Sequence, residues 1–273
     1  LQEQQLRTGS MTVSGVFQAT VLYTAEETAQ VYKLDGFLPF SAHLEQEGIG
    51  PEQTGIAQLR IRSVEARTLN SRKISLRVSY AVRLSVYAPE EMKLWNAEPR
   101  EGTQLRKTQE RGLFPVAVGQ RDVSLNERLD LPAMGSEIQS IEKAVPEIFL
   151  TDQSIAEDRV VLKGVLSLHT VYLLENGQLC SYDMQLPFAQ YLEFLPEMLQ
   201  QASLRVCAVL TDFELDGEEE KSVRAEFRLQ VLVSRELELP LICDGYCVGN
   251  AFSAEYETYC LRQMLDAPST AQT

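Results

Sequence analysis

The sequence predicts an all-β chain: two tandem antiparallel β-sandwich-like modules built from long hairpins. Three observations predict it. A motif series recurs at a nearly constant displacement, apolar residues alternate with period two inside each copy, and turn residues fall where the copies differ in length. Self-similarity on this scale outweighs local propensity, because both copies must then form the same structure.

The series opens with Gly15-Val16 and Tyr23, which recur as Gly164-Val165 and Tyr172, 149 residues on. Leu38-Pro39-Phe40 with Leu44-Glu45 recurs as Leu186-Pro187-Phe188 with Leu192-Glu193, 148 residues on. Leu59-Arg60-Ile61 and Val64 align with Leu204-Arg205-Val206 and Val209, and Ile74–Leu84 with Val223–Val233. The displacement changes only between blocks, where turns are expected. After Tyr172 the turn is Glu175-Asn176-Gly177-Gln178, an Asn-Gly hairpin signature, and after Tyr23 it falls in Ala25 to Ala29.

Inside a copy the period is that of a strand. Val223, Ala225, Phe227, Leu229, Val231 and Val233 alternate with Arg224, Glu226, Arg228 and Gln230. The first copy repeats this with Ile74, Leu76, Val78, Tyr80, Val82, Leu84 and Val86 against Ser75, Arg77, Ser79, Arg83 and Ser85. Successive strand side chains point to opposite faces, so each run has one core face and one solvated face. Runs of about 11 residues span roughly 36 Å, long enough to require twist and bulges. Each copy therefore reads as four long strands in two successive hairpins. Pro39 and Pro187, which cannot donate to a ladder, mark a strand end or a sheet edge.

The copies are unequal. Ala88 to Gln120 is polar, contains Pro89, Pro99 and Pro115, and reads as a connector. Asp122 to Leu131 alternates again through Val123, Leu125, Leu129 and Leu131, and Ile148 to Leu162 reads as a hairpin turning at Ala156-Glu157-Asp158. The second module accordingly begins near residue 112, whereas the first has only Leu1 to Ser10 in the corresponding place. The division that follows is residues 1–98 for a first repeat clipped at its start, 99–251 for connector and second repeat, and 252–273 for a tail that resembles the start of a further one. Disorder is expected only at the ends, Leu1 to Ser10 and Ala267 to Thr273.

Of the 273 residues, 44% are hydrophobic and 23% charged, the balance of a globular chain able to bury two cores. The formal charge of −14 argues against nucleic acid and anionic lipid surfaces, whose binding depends on Lys and Arg displacing counterions, and favours a basic protein partner. No stretch approaches the ~20 apolar residues of a membrane span. Five cysteines, none before Cys180, do not make a disulfide framework and fit a reducing compartment.

The residues that bear chemistry form no reaction centre. His43 and His169 are the two histidines, and neither has a histidine at the matching place in the other copy. Cys243 and Cys247, with Cys260 beyond, lack the fourth ligand of a tetrahedral zinc site and read as small buried hydrophobes. Asp212, Glu214, Asp216 and Gly217 imitate the opening of a calcium loop, but its twelfth position is Val223, so they read as a strand running into a charged turn at Gly217 to Glu220. Trp95, in the polar connector, reads as packing over the end of the first module, with anchoring of a partner as the alternative. No phosphate-cradling glycine loop is present. No catalytic, cofactor-binding or metal-ligating residue is therefore assigned.

The repeated pattern, Gly-Val then Tyr, a turn, Leu-Pro-Phe with Leu-Glu, and two further long strands, resembles the SPOCS repeat of SipL-type proteins of endospore-forming Firmicutes. The residues that carry the resemblance are structural: Gly15, Tyr23, Pro39, Phe40, Gly164, Tyr172, Pro187 and Phe188. Leu239 to Leu265 resembles the start of another unit. The resemblance implies a non-catalytic interaction or scaffold protein of spore coat or endospore envelope assembly, without a cofactor. It also implies spore coat morphogenetic proteins as partners and a place in the mother-cell cytoplasm at the forespore surface. In SipL-type proteins a LysM domain that contacts the coat morphogenetic ATPase follows. No LysM module is recognisable in these residues, so that contact is not carried over. The alternative is a ligand- or carbohydrate-binding module of the cell envelope, working from a groove between the copies.

Overall fold

Alternation along the chain resolves into long strands with one short helix among the described residues. The first module holds β1 (Glu3–Arg7), β2 (Ser10–Thr24), β3 (Val31–Glu45), β4 (Thr54–Asn70) and β5 (Lys73–Tyr87). The second holds β6 (Thr103–Arg128), β7 (Ile138–Ala156), β8 (Arg159–Leu174), β9 (Leu179–Glu193), α1 (Pro196–Leu199), β10 (Ala202–Asp216) and β11 (Ser222–Cys247). This computed structural model describes residues 1–24, 31–89, 102–217 and 219–248. Every pairing is antiparallel, in the sheets β1-β2-β3, β4-β5, β7-β8-β9 and β10-β11-β6. No helix among the described residues is long and apolar enough to cross a membrane.

In the second module β7-β8-β9 packs face to face on β10-β11-β6. One end of the core joins Val160, Leu162, Phe188 and Leu192 to Val123, Phe227, Leu229, Val231 and Val233. The other joins Leu166, Leu168, Tyr172 and Leu174 to Val223, Ala225 and Leu129. The inward residues of β11 from Val223 to Val233 have no exposed surface, so the predicted alternation is realised side chain by side chain. Burying each large member contributes about 1.5–3 kcal/mol. The first module repeats the plan with a thinner core. Met11, Val13 and Ala57 are fully buried, and Phe17, Phe40 and Tyr80 form a ring cluster with centroids 4.7 to 5.3 Å apart.

The hydrogen-bond register tests the duplication residue by residue. Gly15 pairs with Phe40 as Gly164 pairs with Phe188, and Val16 with Pro39 as Val165 with Pro187. The two displacements read from the sequence for this hairpin are thus mutually consistent. For the second hairpin they are not. Leu59 pairs with Val82 and Leu204 with Val233, yet a displacement of 149 along β5 would carry Val82 to Val231. One of the two blocks must slide by two residues, which a strand tolerates without exchanging its faces. The register shifts at Ile61/Ser63 and Leu210/Asp212 are the bulges that strands of this length require.

Two other expectations change. Residues 103–120, read as connector, are strand: β6 runs unbroken from Thr103 and pairs with β11 as far as Cys247. Its first half was hidden because Thr103–Gly112, in the outer ribbon with Leu237–Cys247, carries one apolar side chain, Leu105, and so shows no alternation, while Pro115 sits beside a register shift. Leu1 to Ser10 is ordered, since Glu3–Arg7 forms β1 against Ser10–Ser14. Pro39 and Pro187 lie inside β3 and β9, which are edge strands, as the edge alternative requires. The turns at Glu157-Asp158 and Glu175 to Gln178 fall as expected. The turn at Ala25 to Ala29, the boundary near 98 and the tail 252–273 lie outside the described residues.

The two modules differ in what completes them. β6 pairs along one edge of β11, and β7 along the full length of β8. In the first module β1 covers only Ser10–Ser14 of β2, and among the described residues no strand pairs with the outer edge of β5.

Candidate functional site

The outer face of β11 changes character along its length. Away from the core it presents Arg224, Glu226, Arg228, Gln230, Leu232 and Ser234 in turn. The first three hold ion pairs at the surface: Arg224 Nη2 to Glu226 Oε1 at 2.6 Å, and Arg228 Nε to Asp122 Oδ1 on β6 at 2.6 Å. The last three are 1%, 2% and 5% exposed. Gln230 and Leu232 share a cleft with Ile56, Gln58 and Leu84 of the first module, so the two sandwiches meet across this face.

Polar groups at the junction are largely paired, as burial demands. The Gly55 carbonyl accepts one hydrogen bond from Gln4 Nε2 of its own module (2.8 Å) and one from Gln120 Nε2 of the other (2.6 Å). Cys207 Sγ donates to Gln230 Oε1 at 3.2 Å. Burial pushes the Cys207 thiol above its ordinary pKa, opposed in part by a hydrogen bond with Gln58.

What remains open is a cleft of about 370 Å³ whose polar walls include Gln58, Arg83, Tyr87, Arg205 and Gln230. Arg83 and Arg205 form no ion pair among the described residues. The lining holds no histidine and no carboxylate, so it offers anion-accepting hydrogen bonds and no acid–base pair.

The sequence-selected residues lie elsewhere. Gly15 and Gly164 sit under the rings of Phe40 and Phe188: a Cβ on Gly15 would stand 2.8 Å from Phe40 Cε1, and one on Gly164 2.5 Å from Phe188 Cζ. Tyr172 is buried and its hydroxyl donates to the Pro132 carbonyl at 3.0 Å, whereas Tyr23 is 42% exposed and stacks on Tyr32. Pro39 and Pro187 face these glycine segments across the ladders. All eight serve the interiors and edges of the sandwiches.

His169 Nδ1 lies 2.6 Å from Asp183 Oδ1, directly opposite it across β8–β9. The corresponding place in the first copy holds Thr20 and Asp35, hydrogen-bonded at 2.7 Å. His43 contacts Thr12 Oγ1 at 2.7 Å and Glu45 Oε1 at 3.2 Å. Both histidines are exposed members of cross-strand pairs on outer sheet faces. Cys243 stands exposed at a register shift of β11, which corrects the expectation that it is buried, and Cys247 is half-buried beside Thr103. Among the described residues no group of three His, Cys, Asp or Glu side chains could hold a metal ion. Asp212, Glu214 and Asp216 lie at the end of β10, where Asp216 Oδ1 accepts from the Glu219 amide in the turn. Cys260 and Trp95 lie outside the described residues.

Sequence reading missed the junction. Its trace was present: Leu232 is an apolar residue in an outward series that is otherwise polar. The charge is also more segregated than the total of −14 suggests. From Thr54 to Tyr87 the chain carries seven Lys or Arg (Arg60, Arg62, Arg67, Arg72, Lys73, Arg77, Arg83) and one acid, Glu65.

Comparison with protein-family models, with curated proteins and with solved structures finds no match for this chain.

Proposed function

We propose that the chain is a non-catalytic interaction and scaffold protein of spore coat or endospore envelope assembly, acting through its sheet surfaces in the mother-cell cytoplasm at the forespore surface. The observation that supports an interaction role is the pair of docked sandwiches with unpaired sheet edges among the described residues, β5 of the first module among them. A strand edge accepts a partner backbone, and tandem modules raise the effective concentration of a second contact. The spore assignment rests on the SPOCS-like motif series alone.

Affinity capture with the intact chain, from sporulating and from vegetative cells, tests it. Coat morphogenetic proteins should be recovered from the sporulating extract only. Recovery of none would remove the coat assignment. The cleft between the modules favours a second reading, a ligand-binding module of the cell envelope, because it is concave, polar and holds two arginines. Co-sedimentation with purified cell-wall glycan separates the two, since only the second requires it.

A further inference from the structure

We infer that the outer edge of β5 is a docking site for an acidic, apolar-alternating strand of a partner protein, which lies antiparallel to β5 in the place that β6 occupies on β11. The inference rests on an interaction role for the chain but not on spore coat assembly.

The second module supplies the template. There β6 pairs antiparallel with β11, turns Val123 and Leu125 toward the core, and sets Asp122 opposite Arg228, where two guanidinium nitrogens meet the carboxylate at 2.6 and 3.1 Å. β5 is the counterpart of β11 and offers the same combination. Its inward residues Ile74, Leu76, Val78, Tyr80 and Val82 line an interior whose outer part is uncovered, since Ile61 and Val64 on β4 are 52% and 59% exposed. Its outward residues include Arg77 and Arg83, the second also at the wall of the cleft between the modules, and neither forms an ion pair among the described residues. Glu65, which faces Arg77 across the β4–β5 ladder, pairs instead with Arg67 at 3.2 Å.

The edge is defended by charge alone. Long exposed edges are commonly blunted by proline or a bulge. β3 and β9 carry Pro39 and Pro187, and β10 carries a register shift at Leu210/Asp212. β5 has no proline over its fifteen residues, and only Lys73 and the two arginines guard it.

An unpaired ladder selects a polypeptide, because it needs alternating N–H and C=O groups that a polysaccharide or nucleic acid does not present. Arginine favours carboxylates through its planar fork. Arg77 and Arg83 are six residues apart, roughly 20 Å along a strand, so acids at every second position of the partner would meet both.

Fluorescence anisotropy with the full chain tests this, using a labelled peptide of about ten residues that alternates Glu and Val. The controls are a Lys–Val alternating peptide and one with its Glu and Val in separate blocks. The alternating acidic peptide should bind best, lose affinity as salt rises, and slow amide hydrogen exchange within residues 73–87. The double variant Arg77→Glu/Arg83→Glu should weaken it about tenfold or more, the equivalent of ~1.4 kcal/mol. Exchange on the unmutated chain keeps the result interpretable if the variant misfolds. The inference is overturned by equal binding of the Lys–Val or block peptide, by protection that spares β5, by no binding at about 1 mM, or by a dimer of the chain that already occupies β5. None of these outcomes bears on capture of coat proteins, so the two tests fail separately.

Discussion

Gly164 lies directly opposite Phe188 across the β8–β9 ladder, and a methyl group on it would meet Phe188 Cζ at 2.5 Å on one side and overlap the Phe149 carbonyl oxygen on the other. The ring could turn aside, but the carbonyl belongs to the paired strand β7 and cannot. Gly164→Ala should therefore destabilise the second module by about 1–3 kcal/mol, the usual cost of overpacking. Gly15→Ala should cost less, because the first obstacle there is the Phe40 ring, at 2.8 Å, with Leu1 Cα at 3.0 Å. Urea titration of the two variants would check the order, and equal losses would contradict it.

A second contrast between the copies concerns the tyrosines. Tyr172 is fully buried, its hydroxyl bonded to Pro132, and its pKa is raised, chiefly by burial. Tyr172→Phe removes one partner of that bond and should cost about 0.5–1.5 kcal/mol. Tyr23 is exposed, so Tyr23→Phe should change stability by less than about 0.5 kcal/mol. Thermal unfolding of both variants measures the difference.

These contrasts show where the sequence was legible. Alternation located the strands with a long core face: the inward residues of β11 from Val223 to Val233 are buried as their period requires, and the Gly15–Phe40 and Gly164–Phe188 pairings follow the motif displacement. It did not reveal β1, although Leu6 packs on the first module's core, nor the first half of β7, although Ile141 is 2% exposed. It failed as well in the outer half of β6, where Thr103–Gly112 carries a single apolar side chain, Leu105, and so shows no period. It also could not assign partners to faces. Leu232 looks like a lapse in the polar series until the first module covers it, and Arg83 and Arg205, which share a cleft, are 122 residues apart in sequence. Such a site depends on how two modules dock, and a period within one strand carries no record of that.

Docking itself is open to test at Leu232, which is 2% exposed on the outer face of β11 and shares the junction with Ile56 and Leu84. Leu232→Ala removes methyl groups from the contact and leaves the second module's own core untouched. The expected loss is about 2–4 kcal/mol, as for other buried leucines. It should appear in calorimetry as earlier melting of the first module, with the transition of the second little changed. A uniform shift of a single transition would instead place Leu232 within the second module's own cooperative unit.

Cys207 reports on the same junction. Its thiol is held above the ordinary cysteine range mainly by burial, while Cys243 is exposed on the outer ribbon. Only the thiolate attacks an alkylating reagent, so at neutral pH Cys243 should react with iodoacetamide well before Cys207. Leu232→Ala should speed labelling of Cys207 and leave Cys243 unchanged. The same shift acts on stability with a definite sign. The folded thiol keeps its proton to higher pH than the unfolded one, so the stabilisation is complete below the unfolded thiol pKa of about 8.5. It is lost as pH rises from there toward the folded value. Cys207→Ser should flatten that alkaline decline in a series of urea melts, and an unchanged slope would show that burial of the thiol does not govern it.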